Sequence, residues 1–177
     1  LYVRSGLNLA PVILGGGQES NLRAGTQALP AIAGFGAAAQ RLAVDWPQEA
    51  DRLAALRDRL VAQVVERTGL VATGPIEAGD RLAHHASFCL PARPGHHHPS
   101  GRDLVRALDR LGIAASAGSA CNSGKIEPNP ALLAMGYEPA TALAALRLTL
   151  GRSTTPAAID QAAEAIEKAL ETLQRLN

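Results

Sequence analysis

The sequence predicts an α/β chain whose larger part is an α+β domain: a small, mostly antiparallel sheet with helices over one face. Three observations carry that prediction. From residue 70 onward the segments follow the order β-β-α-β-(short α)-β-α. Apolar residues make up 47% of the 177, enough for a real core. Aromatics are only 3% and alanine is about one residue in five, so the core is aliphatic and the helices pack closely.

The elements follow in chain order. Leu1-Tyr2-Val3-Arg4 reads as a strand end with neither cap nor turn before it. With no methionine at position 1, the expectation is that residues upstream of Leu1 belong to the protein. Residues 5–27 hold five glycines and little periodicity, and read as an extended functional loop. Residues 28–44 are Ala-rich and helical, with Gly34 and Gly36 spent on close helix packing. Asp45-Trp46-Pro47-Gln48 is a break, and Pro47 starts a second helix with Glu49 and Asp51 at its positive end. Leu53, Leu56, Leu60 and Val64 form the apolar stripe of that helix, which ends near Thr68-Gly69. Arg52, Arg57, Asp58 and Arg59 fall mostly off the stripe. A domain boundary is placed here, dividing residues 1–45 from residues 46–177.

Leu70-Val71-Ala72 is a short strand, and residues 83–90 are a second. Ser100 with Asp103 is a capping-box variant opening a helix that Gly112 ends. Residues 113–116 are a short strand, and residues 117–130 a loop of Gly, Ser, Asn and Pro. A short helix over 130–135 and a strand over 143–150 follow. Thr155-Pro156 caps the last helix, whose stripe is Ile159, Ala163, Ile166, Leu170 and Leu173.

Composition excludes several functions. Lys and Arg total 17 against 16 Asp and Glu, a net charge of +1 that argues against a general nucleic-acid or membrane surface. No apolar run reaches the roughly 18 residues of a spanning helix. Two cysteines, Cys89 and Cys121, and no signal-peptide pattern point to a reducing, cytoplasmic setting.

Four stretches bear on chemistry. Gly15-Gly16-Gly17-Gln18-Glu19 precedes Arg23-Ala24-Gly25-Thr26. Arg23 and Thr26 are suited to a phosphate, although an ordinary Gly-rich turn accounts for the pattern as well. Cys121 sits in Ala117-Gly118-Ser119-Ala120-Cys121-Asn122-Ser123-Gly124, small flexible residues that expose a thiol. To act as a nucleophile it needs a nearby base or cation, and Lys125 is the local candidate. Cys89, between Phe88 and Leu90, reads as a buried structural thiol. Arg147 lies in an apolar strand, where burial requires an anion: a structural carboxylate or a substrate carboxylate held bidentately. His96-His97-His98 reads as a solvated loop rather than a metal site, and the cysteines lack zinc spacing.

Taken together, GGGQE, LRAGT, PAIAGFGAA, SAGSACNSGKIEPNPALLAMG and ALRLTLGRSTT resemble the group I, NifS/IscS-like cysteine desulfurases of the class V aminotransferase fold. The similarity runs in order over essentially the whole chain, and the cysteine loop and arginine strand are specific to group I. It implies the C-terminal part of a fold type I transferase dependent on pyridoxal 5'-phosphate. Residues 1–45 would be the remnant of the large cofactor domain, and residues 46–177 the small domain. It implies L-cysteine as substrate and L-alanine as product. Cys121 would attack the substrate sulfur and carry it as a persulfide to an acceptor protein for iron–sulfur assembly or tRNA thiolation. Arg147 matches the substrate-carboxylate residue. Thr26, with Arg23 and Gly25, matches the contact to the cofactor phosphate of a neighbouring subunit in a homodimer.

The chain departs from the family pattern in two ways. The family's Schiff-base lysine would lie upstream of Leu1, as would the ring-stacking histidine and the aspartate that pairs with the pyridine nitrogen. Lys125 and Lys168 match no such position, so this chain alone is expected to be catalytically incomplete. His85 stands where the family often has Asn. An alternative reading is a non-catalytic module that binds a sulfur acceptor or a full-length partner. A relative acting on selenocysteine is a further, less favoured one.

Overall fold

A computed structural model describes residues 1–75, 80–92, 98–118 and 127–175. These divide into two compact units, Leu1–Trp46 and Pro47–Asn177.

In the first unit, a short 3-10 helix at Gln18–Asn21 precedes the start of helix α1 (Leu29–Thr68). Glu19, Ser20 and Asn21 all have positive φ, so three successive side-chain-bearing residues occupy the left-handed region. The turn is tied down by its neighbours. The Gly25 N–H donates to Gln18 Oε1 (3.2 Å), and the Ala24 N–H to the Ile13 carbonyl (3.2 Å). Ala24 is the one buried residue of this unit. The expected strand end at residues 1–4 is absent, because no described strand of this unit offers it a ladder. Nothing among the described residues lies within 4 Å of a Cβ placed on Gly34 or Gly36.

The break expected at residues 45–48 is also corrected. α1 runs through Pro47 as a single helix. Proline forfeits one backbone bond there, at a cost of about 3 kcal/mol. The Ala-rich stretch before it and the amphipathic turns after it hold the helical path.

The second unit is built on three strands: β1 (Val71–Ala72), β2 (His85–Cys89) and β3 (Ala145–Thr149). They form one antiparallel sheet in the order β1-β2-β3. Ser87 pairs with Arg147 and Cys89 with Ala145. Residues 113–116 do not form the expected strand; among the described residues their one pairing is a bridge of Ser116 with Arg147, closed by two backbone bonds of 2.9 and 2.8 Å.

Alternation along these strands gives the sheet two different faces. Ala86, Phe88, Leu146 and Leu148 turn into the main core. Leu53, Leu56, Leu60 and Val64 of α1 meet them there, as do Leu104 and Leu108 of α2 (Gly101–Arg110) and Ile159, Ala163, Ile166 and Leu170 of α5 (Pro156–Arg175). The capping box of α2 forms in full: Ser100 Oγ accepts from the Asp103 N–H, and the Ser100 N–H donates to Asp103 Oδ2. The other face is covered at one end only. Cys89 and Ala145 pack there with Leu132 of α3 (Pro130–Ala134) and Ala142 of α4 (Pro139–Leu143). The far end of that face, bearing His85, Ser87 and Arg147, is left open by the described residues. Among the described residues no helix is long and apolar enough to cross a membrane.

Candidate functional site

The open end of the sheet is a cleft of about 420 Å³, within the usual size of small-ligand sites. β2 supplies His85 and Ser87 to its lining, β3 supplies Arg147, and the turn before β2 supplies Asp80 and Arg81. Gly118 and Asn129 close another wall.

Each group has a local cause. The Thr73 N–H extends the ladder past β1 to the Ser87 carbonyl (2.9 Å), and the two hydroxyls lie 2.6 Å apart. Arg81 donates from Nε to the Pro75 carbonyl (2.8 Å) and from Nη2 to the Thr73 carbonyl. Partial burial, and then the charge of Arg57, push Arg81 below the ordinary arginine range. The Leu82 carbonyl accepts both the His85 N–H (3.2 Å) and Arg57 Nη1 (3.1 Å), which fixes where β2 begins. Arg57 was expected off the apolar stripe; it is instead 4% exposed, paired with Asp58 at 2.8 Å. Half-burial, and then Arg81 and Arg147, hold the His85 imidazole below its ordinary value.

Arg147 differs from the buried arginine that its apolar neighbours suggested. Strand alternation turns Leu146 and Leu148 inward and Arg147 outward, so the guanidinium is exposed and needs no structural carboxylate. Its Nη2 donates to Ser116 Oγ (3.3 Å), and among the described residues no carboxylate pairs with it. Asn129 caps α3 by accepting the Ala131 N–H (2.9 Å), and its amide occupies the space a Cβ on Gly118 would need.

Cys121 lies outside the described residues, as do Lys125, His96 and His97. Arg23, Gly25 and Thr26 belong to the first unit. Arg23 Nη1 donates to the Ala24 carbonyl (2.7 Å), Gly25 adopts φ +98, and Thr26 is exposed. Cys89 is fully buried, as its apolar neighbours predicted, and burial pushes its thiol up to about 11. Among the described residues no three His, Cys, Asp or Glu side chains converge on a metal position. His98 Nε2 lies 2.9 Å from the Ala140 carbonyl. Sequence reasoning missed Arg81, Thr73 and Asn129. The period-2 pattern through Ser87 was the one signal that could have placed the cleft.

The pyridoxal phosphate implied by the resemblance requires a lysine amine for its aldehyde. Among the described residues Lys168 is the one lysine, and it is exposed on α5. Among the described residues no lysine lines the cleft. The described residues therefore do not fit the cofactor's attachment, although the cationic cleft fits a small carboxylate.

Known proteins give the same direction. The Aminotransferase class-V family profile matches residues 9–162. "Cysteine desulfurase IscS 1" of Archaeoglobus fulgidus is 38% identical over 177 residues, 100% of this chain and 44% of the relative. "Cysteine desulfurase" of Bradyrhizobium diazoefficiens is 37% identical over 166 residues, 94% of this chain and 40% of the relative. A solved NifS-like protein superposes with a TM-score of 0.80 at 29% identity, over 97% of this chain and 41% of that one. The chain thus spans less than half the length of the relatives it matches. It belongs to the class-V aminotransferase family and is a homologue of cysteine desulfurases of the IscS and NifS type.

Proposed function

We propose that the chain serves a pyridoxal-phosphate-dependent cysteine desulfurase, which converts L-cysteine to L-alanine and passes the sulfur on as a Cys121 persulfide. The observation that carries this reading is Arg147: an exposed guanidinium in a polar cleft, paired with no described carboxylate, in a lining that also holds Gly118 and Asn129. Arg147 holds the substrate carboxylate through two parallel N–H bonds. The Cys121 thiolate attacks the substrate sulfur. A sulfur–sulfur bond forms as the carbon–sulfur bond breaks, and the carbon keeps the pair and takes a proton to become the methyl group of alanine. The acceptor is a protein of iron–sulfur assembly or tRNA thiolation in the cytoplasm. Thr26, Arg23 and Gly25 would hold the cofactor phosphate across a homodimer, and the first unit would belong with the large cofactor domain.

With no lysine in the cleft among the described residues, the isolated 177-residue chain does not turn over. That observation also supports a second reading, a module that binds a sulfur acceptor or a full-length partner. The test is made on the desulfurase that contains this chain. Cys121→Ser abolishes the alkylatable persulfide seen by mass spectrometry. Arg147→Gln raises KM for L-cysteine at least about tenfold, the loss of one charge-assisted hydrogen bond of about 1.5–3 kcal/mol. Sulfur transfer that survives Cys121→Ser refutes the nucleophile, and an unchanged KM refutes the clamp.

A further inference from the structure

The least expected group in the cleft is His85. It shares the open face of the sheet with Ser87 and Arg147, and it lines the same cavity as Arg81. Among the described residues, the charged and titratable groups around it come from three places. Arg81, His84 and Asp80 lie on the preceding turn, Arg147 lies on β3, and Arg57 of α1 reaches the Leu82 carbonyl that also takes the His85 N–H. Two acids stand against these cations: Asp80 on the same turn, and Asp58, which pairs with Arg57 and also acts on Arg81. The backbone of His85 is also held: its carbonyl neighbour His84 accepts the Leu150 N–H (2.8 Å). The backbone that carries the imidazole is therefore held beside these cations.

We infer that His85 couples proton uptake to carboxylate binding in this cleft: when a small carboxylate settles on Arg147, the imidazole takes a proton from solvent and becomes a second cationic partner. The inference rests on the reading of Arg147 as the carboxylate-binding residue. Its physics is simple. Two guanidinium groups disfavour a third positive charge, and half-burial disfavours it further. A bound carboxylate cancels part of that field, so the protonated form gains on ligation. By linkage, binding must then tighten as pH falls. An Asn at this position would hydrogen-bond a ligand but could not add charge. His85 is thus a specificity-determining residue that favours anions under mildly acidic conditions.

The probe is L-lactate, a carboxylate ionised throughout the range used. The 177-residue chain is titrated by NMR, following the His85 imidazole, identified by its loss in His85→Asn, and the Arg147 Nε–H at pH 5.5. Saturating lactate is expected to raise the His85 midpoint. Lactate is expected to bind about three- to tenfold tighter at pH 5.5 than at pH 7.5, since one unit of pKa difference is a factor of ten. In His85→Asn, binding persists and that pH dependence disappears; His85→Gln is the second variant should Asn not fold. A structural role for His85 would leave the pH dependence untouched. If lactate moves the Arg147 signal but not the His85 midpoint, the coupling is refuted and the clamp stands. If neither signal moves, the clamp falls and the coupling with it.

Discussion

Gly101 sets the distance between α2 and the strand that carries Arg147. It is buried at the first turn of α2, and a Cβ placed on it would run into the carbonyl oxygen of Ala145, with the Ala117 Cβ at 3.2 Å. Gly101→Ala therefore sets two effects against each other. Alanine in place of glycine stabilises a helix by about 0.8–1 kcal/mol, and less in the first turn. Overpacking a tight contact costs about 1–3 kcal/mol. The atom in the way is backbone at the first residue of β3, so it cannot step aside as a side chain could. Overpacking wins, and the net loss is about 1–2 kcal/mol. At a urea slope of about 2 kcal/mol/M, the midpoint falls by roughly 0.5–1 M. Gly34→Ala is the control, because nothing described lies within 4 Å of its added methyl; there the propensity gain stands alone and the helix is stabilised. Both variants are read by urea unfolding followed by circular dichroism. A Gly101→Ala midpoint at or above that of the parent refutes the close approach of α2 to β3.

Two further outcomes follow from the packing. Ser100→Ala removes the cap accepting the Asp103 N–H and the 2.7 Å bond to Asp103 Oδ2, at a residue 5% exposed; it costs about 1–2 kcal/mol in the same unfolding assay, while Ser100→Thr retains most of the stability. Cys89 resists iodoacetamide at pH 8 until the chain unfolds, as peptide mapping against Cys121 will show. Its folded thiol ionises near 11 against an ordinary 9.0, so its contribution to stability is intact below pH 9 and is lost as pH rises from 9 toward 11.

The amphipathic helices were legible because each carries a long stripe: Leu53 to Val64 and Ile159 to Leu170 are buried as their spacing requires. The α2 capping box was equally legible, since it is a local bond between residues three apart. Elements decided by neighbours were not. α4 is five residues long without a side-chain cap, and its helix rests on Pro139 at its start. The run of positive φ at residues 19–21 has no glycine to announce it. Pro47 looked like a break because propensity is local, whereas the helix is held from both sides. Arg147 was misjudged through composition: its apolar neighbours suggested burial, while alternation with Leu146 and Leu148 already assigned it to the opposite face. The cleft itself is assembled from segments more than 70 residues apart, Thr73 to Arg147, which no short window contains.

Arg57 has a bearing on how this fold could be engineered. A buried cation with one exposed carboxylate beside it invites replacement by leucine, a swap that is often neutral or stabilising at buried ion pairs. Here it would carry a hidden penalty. The Leu82 carbonyl would lose one of its two donors, and the turn bearing Arg81 and His85 would lose its tether to α1. If the cleft binds the proposed carboxylate, a variant selected only for heat resistance would drift in that affinity without a single change inside the cleft, so screening for the proposed function must measure both.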